Sequence, residues 1–328
     1  MRDESTQLMA LLHGERVAKP PFWEPWFGMT QMLADDYGND PLQLCDALGL
    51  AGWPIGSVGS GLDQRRHVDR NEVTGVWYGG GELREWSEIV ATPVPDYDAI
   101  VANLLPARER HRQAGLACWL VIPWCFHVIA TNMGLEQFAM DCYDRPQLIA
   151  DAMRWVEDRT AQAIEQVIAK VRPDFVLYDG DCAYKTGPML RPDMLRDFVY
   201  EPTLANTRRL RALGIPVTFH CDGKLDDVIP ILIDLGIAAV HGCEKQANDL
   251  AALVEKFGDQ IVLCGNMDVV FMKGATREQV RQVTEQMLQI GARKQRYAAA
   301  TNTSPLDYIP RLNYREMAQT IADYAPGR

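Results

Sequence analysis

IPVTFHCDG (215–223), IAAVHGCE (237–244) and QIVLCGNMD (260–268) are three successive apolar runs, and each ends in polar residues. The residues between them, 225–236 and 247–257, have the apolar spacing of helices. Short apolar runs that alternate with helices predict βαβ units and a parallel sheet. This part of the chain therefore predicts an α/β fold.

The same alternation continues on both sides of this segment. Further strands are predicted at 20–26, 49–58, 117–124, 174–181 and 296–302, and further helices at 134–141, 146–171, 191–214, 276–291 and 313–324. Because eight parallel strands close a barrel, we expect one (β/α)8 barrel, a TIM barrel, over residues 1–328. An open doubly wound sheet is the alternative, although the Gly-rich phosphate turn typical of that fold is absent.

A two-stranded excursion is predicted outside the barrel. Residues 67–78 and 82–90 carry alternating apolar residues on either side of Gly79, Gly80 and Gly81. Glycines between two alternating runs are typical of a hairpin turn. We therefore expect two strands that turn at these glycines.

The net charge and the cysteines of the chain indicate what kind of protein it is and which partners are excluded. With 33 Lys and Arg against 44 Asp and Glu, the net charge is −11, which argues against nucleic acid or an anionic membrane as a partner. The polar amino-terminal residues predict no signal peptide, and no run of 18 apolar residues is present. The eight cysteines are therefore expected to be reduced thiols in a cytoplasmic enzyme.

Polar residues recur at the ends of the predicted strands, although buried parallel strands are normally apolar throughout. They are Glu24, Asp179, Asp181, His220, Asp222, Glu244, Asn266, Asp268 and Asn302. The carboxyl ends of barrel strands converge on one face, where barrel enzymes hold their active sites. A helix cap or a loop hydrogen bond accounts equally well for any single one, above all for Asp268 and Asn302. Their recurrence predicts a site on this face.

Alternation along one strand places His220 and Asp222 on the same side and Cys221 on the other. Two such groups suit a shared metal ion or a shared proton. The alternative is a core histidine that only orients Asp222. Carboxylates gathered this densely at one rim repel one another. We therefore expect raised pKa values, a bound cation or a cationic substrate.

Aromatic residues are predicted at the same rim: Trp23, Trp26, Trp124 and Tyr184. Their rings can stack on a flat ligand or surround a quaternary ammonium group. They can equally well fill the core.

The motif HCDG (220–223), an acid after the next strand, and EKFGDQIVLCGNMDVVFMKGATREQV (255–280) together resemble the uroporphyrinogen decarboxylase superfamily. The resemblance is strongest over 215–285 and is looser at 93–100, 187–202 and PPFWEPW (20–26). It is closest to the branch that includes corrinoid-linked methyltransferases, as an H-x-D-G variant. The resemblance implies a (β/α)8 barrel, in agreement with the strand count.

The resemblance also implies a metal site. Methyltransferases of this superfamily use zinc, held by an H-x-C pair and a later Cys, to activate a thiol that accepts methyl from a corrinoid. Here His220 matches, Asp222 replaces the first Cys, and the later Cys falls near Thr301. Related zinc-dependent methionine synthases have a Glu at the spacing of Glu244. The implied ligands are therefore His220, Asp222 and Glu244, for zinc or a harder divalent cation.

Porphyrinogen decarboxylation itself is disfavoured. The decarboxylases carry an Arg-containing motif near the amino terminus, where this chain has FWEPWFGMTQM (22–32). An acidic, aromatic mouth would repel a polyanionic porphyrinogen.

The sequence thus predicts a methyltransferase of the demethylase type that acts on a small methylated substrate or on a methyl-corrinoid carried by a separate protein. The predicted catalytic residues are His220, Asp222, Asp181 and Tyr184. The predicted substrate-binding residues are Glu24, Trp26, Trp124, Asp179, Asn266 and Asn302. One alternative is a lyase or decarboxylase that uses carboxylate acid–base chemistry without a metal. Another is a non-enzymatic barrel that binds a cationic ligand.

Overall fold

The computed structural model describes residues 1–62, 66–71 and 75–326. Its centre is a curled parallel sheet of seven strands, whose order in the sheet is their order in the chain. They are β1 (Gly52–Ser57), β2 (Ala117–Pro123), β3 (Phe175–Asp179), β4 (Val217–Cys221), β5 (Ala239–Gly242), β6 (Val262–Met267) and β7 (Tyr297–Thr301). Seven of the eight predicted barrel strands are thereby confirmed.

Helices precede, separate and follow these strands. They are α1 (Asp3–Leu12), α2 (Thr30–Tyr37), α3 (Pro41–Leu48), α4 (Trp86–Val90), α5 (Tyr97–Ala114), α6 (Cys125–Met133), α7 (Leu135–Asp144), α8 (Pro146–Ala163), α9 (Ala169–Val171), α10 (Pro192–Ala212), α11 (Ile229–Asp234), α12 (Leu250–Phe257), α13 (Val269–Gly274), α14 (Arg277–Gly291) and α15 (Arg311–Asp323). A π-helical segment, Ile164–Ile168, joins α8 to α9. In the described ranges, none of these helices is both long and apolar enough to cross a membrane.

The predicted first strand, 20–26, does not form a full strand. It contributes one bridge residue, Phe22, which pairs in parallel with Leu50 and with Ala299. This segment contains Pro20, Pro21 and Pro25, and proline lacks the N–H that a strand ladder needs. A complete eighth strand is therefore not observed, and the two edges of the sheet are joined only by the two bridges of Phe22 among residues 20–26.

Two hairpins lie outside the sheet. Residues Arg66–Asn71 pair antiparallel with Gly75–Gly81, so the three glycines predicted as a turn lie inside the second strand instead. Residues 82–90, predicted as a strand, contain α4, and the connection at 72–74 lies outside the described residues. A second, short hairpin pairs Ala183–Tyr184 with Gly187–Pro188 and is named the 183–188 hairpin.

Large side chains fill the inside of the curled sheet. Trp119 and Phe175 stack with their ring centroids 5.0 Å apart, and Trp23 meets both rings edge-on. Leu8 and Leu11 of α1 belong to the same buried cluster. The N–H of Arg2, just before α1, donates to the carbonyl of Gly115, just before β2, so α1 packs at the amino-terminal ends of the strands. This packing leaves the carboxyl ends for a ligand.

Candidate functional site

Asp181, His220 and Asp222 form a group at the carboxyl ends of β3 and β4, which we name the acid–histidine cluster. His220 Nε2 lies 3.7 Å from Asp181 Oδ1 and 3.7 Å from Asp222 Oδ1. The ligand atoms of the three residues lie within 4.8 Å of one another, a spacing that could hold a metal ion. Cys221 points the other way, with its Sγ 3.8 Å from Cys182 Sγ. The alternation predicted along β4 is thus confirmed.

Backbone N–H groups hold the carboxylates of Asp181 and Glu244. The N–H of Asp222 donates to Asp181 Oδ1 over 2.9 Å, and the N–H of Gly223 donates to Glu244 Oε2 over 3.1 Å. Gly223 has a φ of +87°, and a Cβ there would lie 2.7 Å from the carbonyl oxygen of Tyr184. The chain can leave β4 beneath the 183–188 hairpin only because residue 223 is a glycine.

Burial and neighbouring charges shift the pKa values of His220 and Asp222, and each of these residues affects the other. Burial by itself lowers the pKa of His220, but four carboxylates outweigh it and raise the pKa above the ordinary value of 6.5. These carboxylates belong to Asp222, Asp181, Asp179 and Glu244. Burial also raises the pKa of Asp222 to about 7, against the opposing effect of His220. The cluster therefore retains a proton near neutral pH, as expected for crowded carboxylates.

Glu244, predicted as a metal ligand, lies next to the cluster. Its Oε2 accepts from Gly223, and its Oε1 lies 3.7 Å from Lys185 Nζ. Lys185 also donates to Gln246 over 2.6 Å. The structure thus brings Asp181, rather than Glu244, within ligand distance of His220. A ligand role for Glu244 stays a prediction.

Glu24 lies away from the cluster. Trp23 packs inward against His241, with ring centroids 6.0 Å apart, so the next side chain points towards α15. There Glu24 accepts from the Thr301 N–H and from the Tyr314 hydroxyl, over 3.1 and 3.2 Å. Burial raises the pKa of Glu24 to about 8. The expectation that Glu24 opens into the same cavity as His220 is therefore wrong.

The predicted aromatic residues are divided by the fold. The ring of Trp26 meets His220 edge-on, with centroids 4.7 Å apart. Trp124 is instead buried, and its Nε1 donates to Thr203 Oγ1 of α10 over 3.0 Å. Tyr184 is half exposed in the 183–188 hairpin. Trp26 and Tyr184 remain candidates for substrate contact, whereas Trp124 is part of the core.

Two predicted amide residues have other partners. The N–H of Asn266 points to Met287 Sδ, and the residue lines a cavity between α12 and α14. Asn302 Oδ1 accepts from the N–H of Val269, the first residue of α13. Within the described ranges, no hydrogen bond joins either amide to the cluster. Asp179, by contrast, ends β3 in register with His220 and contributes to the charge around it.

His241 is a buried neighbour of the cluster that the sequence did not reveal. Its Nδ1 lies 2.9 Å from His220 Nδ1, and its Nε2 lies 3.0 Å from the Thr301 carbonyl oxygen. Burial, aided by the charge of His220, lowers the pKa of His241 well below 6.5. A polar residue inside an apolar run could have indicated His241, since buried parallel strands are normally apolar throughout. The prediction considered only residues at the ends of the strands and therefore missed it.

A cavity of about 100 Å³ adjoins Asp181. Its other lining residues are Gly80, His127, Ala130, Thr131, Gly134, Leu135 and Met189. Most of this wall is apolar, with one carboxylate at the edge. A larger cavity of about 430 Å³ lies at the amino-terminal ends of β4 and β5, away from the cluster.

Comparison with known proteins gives a family match and similar folds among solved structures. Residues 113–324 match the sequence profile of the family described as uroporphyrinogen decarboxylase (URO-D). A methyltransferase from Methanosarcina mazei has a similar fold, with a TM-score of 0.75 and 14% identity over 98% of each chain. None of the curated proteins matches the chain.

Two further solved structures are less similar, with TM-scores below 0.5. A 3-keto-D-glucoside 4-epimerase from E. coli has a TM-score of 0.44 and 9% identity, over 92% of this chain and 98% of its own. A sugar phosphate isomerase/epimerase from Parabacteroides distasonis has a TM-score of 0.40 and 10% identity, over 90% of this chain and 92% of its own.

Proposed function

The chain belongs to the uroporphyrinogen decarboxylase family, and we propose that it is a metal-dependent methyltransferase whose metal is held by the acid–histidine cluster. The observation that carries this proposal is one imidazole nitrogen facing two carboxylate oxygens at 3.7 Å. The fold shared with a methyltransferase supports the reaction class. The substrate in this proposal is a small methylated compound, or a methyl-corrinoid presented by a separate protein.

The residues present fit a divalent cation. Asp222 Oδ1 is buried, and no hydrogen bond to it is found in the part of the chain that the structure describes. Two ligand atoms on a tetrahedral zinc ion lie about 3.4 Å apart, given bonds of about 2.1 Å, so the 3.7 Å separations need only a small closure. One nitrogen and two oxygens form a harder donor set than a thiolate site, so zinc or manganese suits it.

Asp181, His220 and Asp222 would hold the cation, which when bound supplies Lewis-acid polarisation of the heteroatom that carries or receives the methyl group. The other residues bind and orient the substrate. The cavity beside Asp181 is small enough to favour a compact group, and Trp26 covers His220 from the side. Tyr184 is exposed at the rim, where a hydroxyl can donate a hydrogen bond to a substrate.

A second candidate function is acid–base chemistry without a metal, as in a lyase or decarboxylase. The observation that favours it is the proton retained between His220 and Asp222, because Asp222 has a pKa raised to about 7. A general acid works best when its pKa lies near the operating pH. The two functions differ in whether a cation replaces that proton.

Calorimetric titration of chelator-treated protein with zinc, manganese and magnesium separates these two functions. We expect zinc to bind, and His220→Ala to weaken binding about 100-fold, since one of three ligands is lost. Affinity is expected to fall as the pH decreases, because protonated His220 cannot bind a metal. His13→Ala, at an exposed histidine after α1, is the control for adventitious binding. No heat and no change in Tm with any of the three cations would exclude the metal site and leave acid–base chemistry.

Substitutions at two adjacent residues, the last residue of β4 and the one after it, provide a second test. We expect Asp222→Asn to weaken zinc binding at least tenfold, because it removes a charged ligand. Cys221→Ser should leave zinc affinity within about threefold, because its side chain faces Cys182 and not the cluster. Loss of binding in Cys221→Ser together with normal binding in Asp222→Asn would contradict the proposed ligand set.

A further inference from the structure

His241 connects the acid–histidine cluster to the backbone of the sheet. It is fully buried in β5, and its Nε2 lies 3.0 Å from the carbonyl oxygen of Thr301 in β7. A carbonyl oxygen can only accept a hydrogen bond, so His241 Nε2 carries a proton. Thr301 is held in turn, because its own N–H donates to Glu24. One end of this chain of hydrogen bonds is therefore fixed by the fold.

The other ring nitrogen of His241 determines the protonation of His220. The two Nδ1 atoms lie 2.9 Å apart and share one proton. A second proton on His241 would create a buried cation surrounded by the Trp23 and Trp26 rings, with no carboxylate in hydrogen-bond contact among the described residues. His241 is therefore neutral, its Nδ1 accepts, and His220 Nδ1 donates.

We propose that His241 is a positioning residue that fixes His220 with its proton on Nδ1. The free nitrogen, Nε2, then faces Asp181 and Asp222, where a cation would bind. In metal sites, the second nitrogen of a histidine ligand commonly donates to such a partner, which sets both its tautomer and its ring orientation. The tautomer assignment concerns the neutral imidazole of His220 and does not depend on a metal, whereas the effect on metal affinity rests on the proposed function.

The tautomers are measured by two-bond ¹H–¹⁵N spectra of histidine-labelled protein near pH 9, above the ordinary imidazole range. The signals are assigned by comparison with single histidine variants. We expect His220 to be protonated on Nδ1 and His241 on Nε2. A proton on Nε2 of His220, with Nδ1 bare, would overturn the proposal. This readout needs no metal, so it tests the positioning role even if no cation binds and the proposed function fails.

Zinc affinity provides the second readout. His241→Leu should weaken binding of zinc about 10-fold to 100-fold, as substitutions behind a metal ligand generally do. His241→Gln keeps an acceptor and a donor and should recover most of that loss. His111→Leu removes another buried histidine, one bound to the Ala107 carbonyl at a distance from the cluster, and should leave zinc affinity unchanged. Wild-type zinc affinity in folded His241→Leu would overturn the proposal.

Discussion

Glu24→Gln is expected to become more stable relative to the wild-type protein as the pH rises from about 4.5 to about 8. The pKa of Glu24 rises from 4.5 to about 8 on folding, because the side chain is only 3% exposed. In this pH range the folded state holds a proton that the unfolded state has released. The wild-type protein therefore loses stability as the pH increases, at about 1.4 kcal/mol per pH unit.

The hydrogen bonds explain why glutamine is a close replacement. The Thr301 hydroxyl lies within hydrogen-bond distance of both Glu24 Oε2 and the Thr303 carbonyl oxygen, and its one proton can serve only one of these acceptors. When Glu24 is neutral, its own proton can complete the contact with the Thr301 hydroxyl oxygen. A glutamine amide can donate in the same place, while its oxygen accepts from the Thr301 N–H and from Tyr314.

The measurement is the free energy of unfolding by urea at several pH values for both proteins. The full shift corresponds to about 5 kcal/mol, an upper limit on the relative gain of Glu24→Gln between pH 4.5 and 8. Glu255→Gln, at a side chain that is 81% exposed, controls for the loss of one carboxylate. A difference between Glu24→Gln and wild type that stays constant with pH would show that Glu24 is ionised in the folded protein.

The fold could be predicted where strands are buried on both sides. Such strands are mostly apolar, so β2 to β7 stand out as runs between helices, whereas β1 is only partly buried. The first predicted strand failed because Pro20, Pro21 and Pro25 remove hydrogen-bond donors, a local effect that the apolar pattern conceals. The turn of the hairpin predicted at Gly79, Gly80 and Gly81 was misplaced, because a glycine can serve either a turn or a close approach of two backbone segments. Gly81 is needed for close approach to the carbonyl of Asn132, not for a turn.

The site could be predicted only in part, for a similar reason. Alternation correctly placed His220 and Asp222 on one side, because β4 is a regular strand. The recurrence of polar residues at strand ends did not place Glu24 correctly, because its side chain points to the opposite face, towards Tyr314. His241 was missed because it lies inside β5, and its role depends on a contact with His220 on the neighbouring strand β4. Such contacts between strands are not visible in the order of residues.

Gly223→Ala is expected to destabilise the protein by about 4 kcal/mol and to weaken zinc binding at least 100-fold. The left-handed φ of +87° costs an alanine about 1–2 kcal/mol. The added Cβ would also lie 2.7 Å from the carbonyl oxygens of both Ala183 and Tyr184. Backbone atoms cannot rotate away, so the 183–188 hairpin has to move, and overpacking of this kind costs about 1–3 kcal/mol more.

The effect on the site follows from the same displacement. The N–H of Asp222 donates to Asp181, and the N–H of Gly223 donates to Glu244. A shift of the backbone at residue 223 is therefore expected to move the carboxylates of Asp181 and Asp222 apart. Gly214→Ala is the matched control, because Gly214 has a φ of +72° and open space around its Cβ position. It should lose about 1–2 kcal/mol of unfolding free energy and no zinc affinity. If both variants behave alike in urea unfolding and zinc titration, contact with the hairpin does not hold the cluster together.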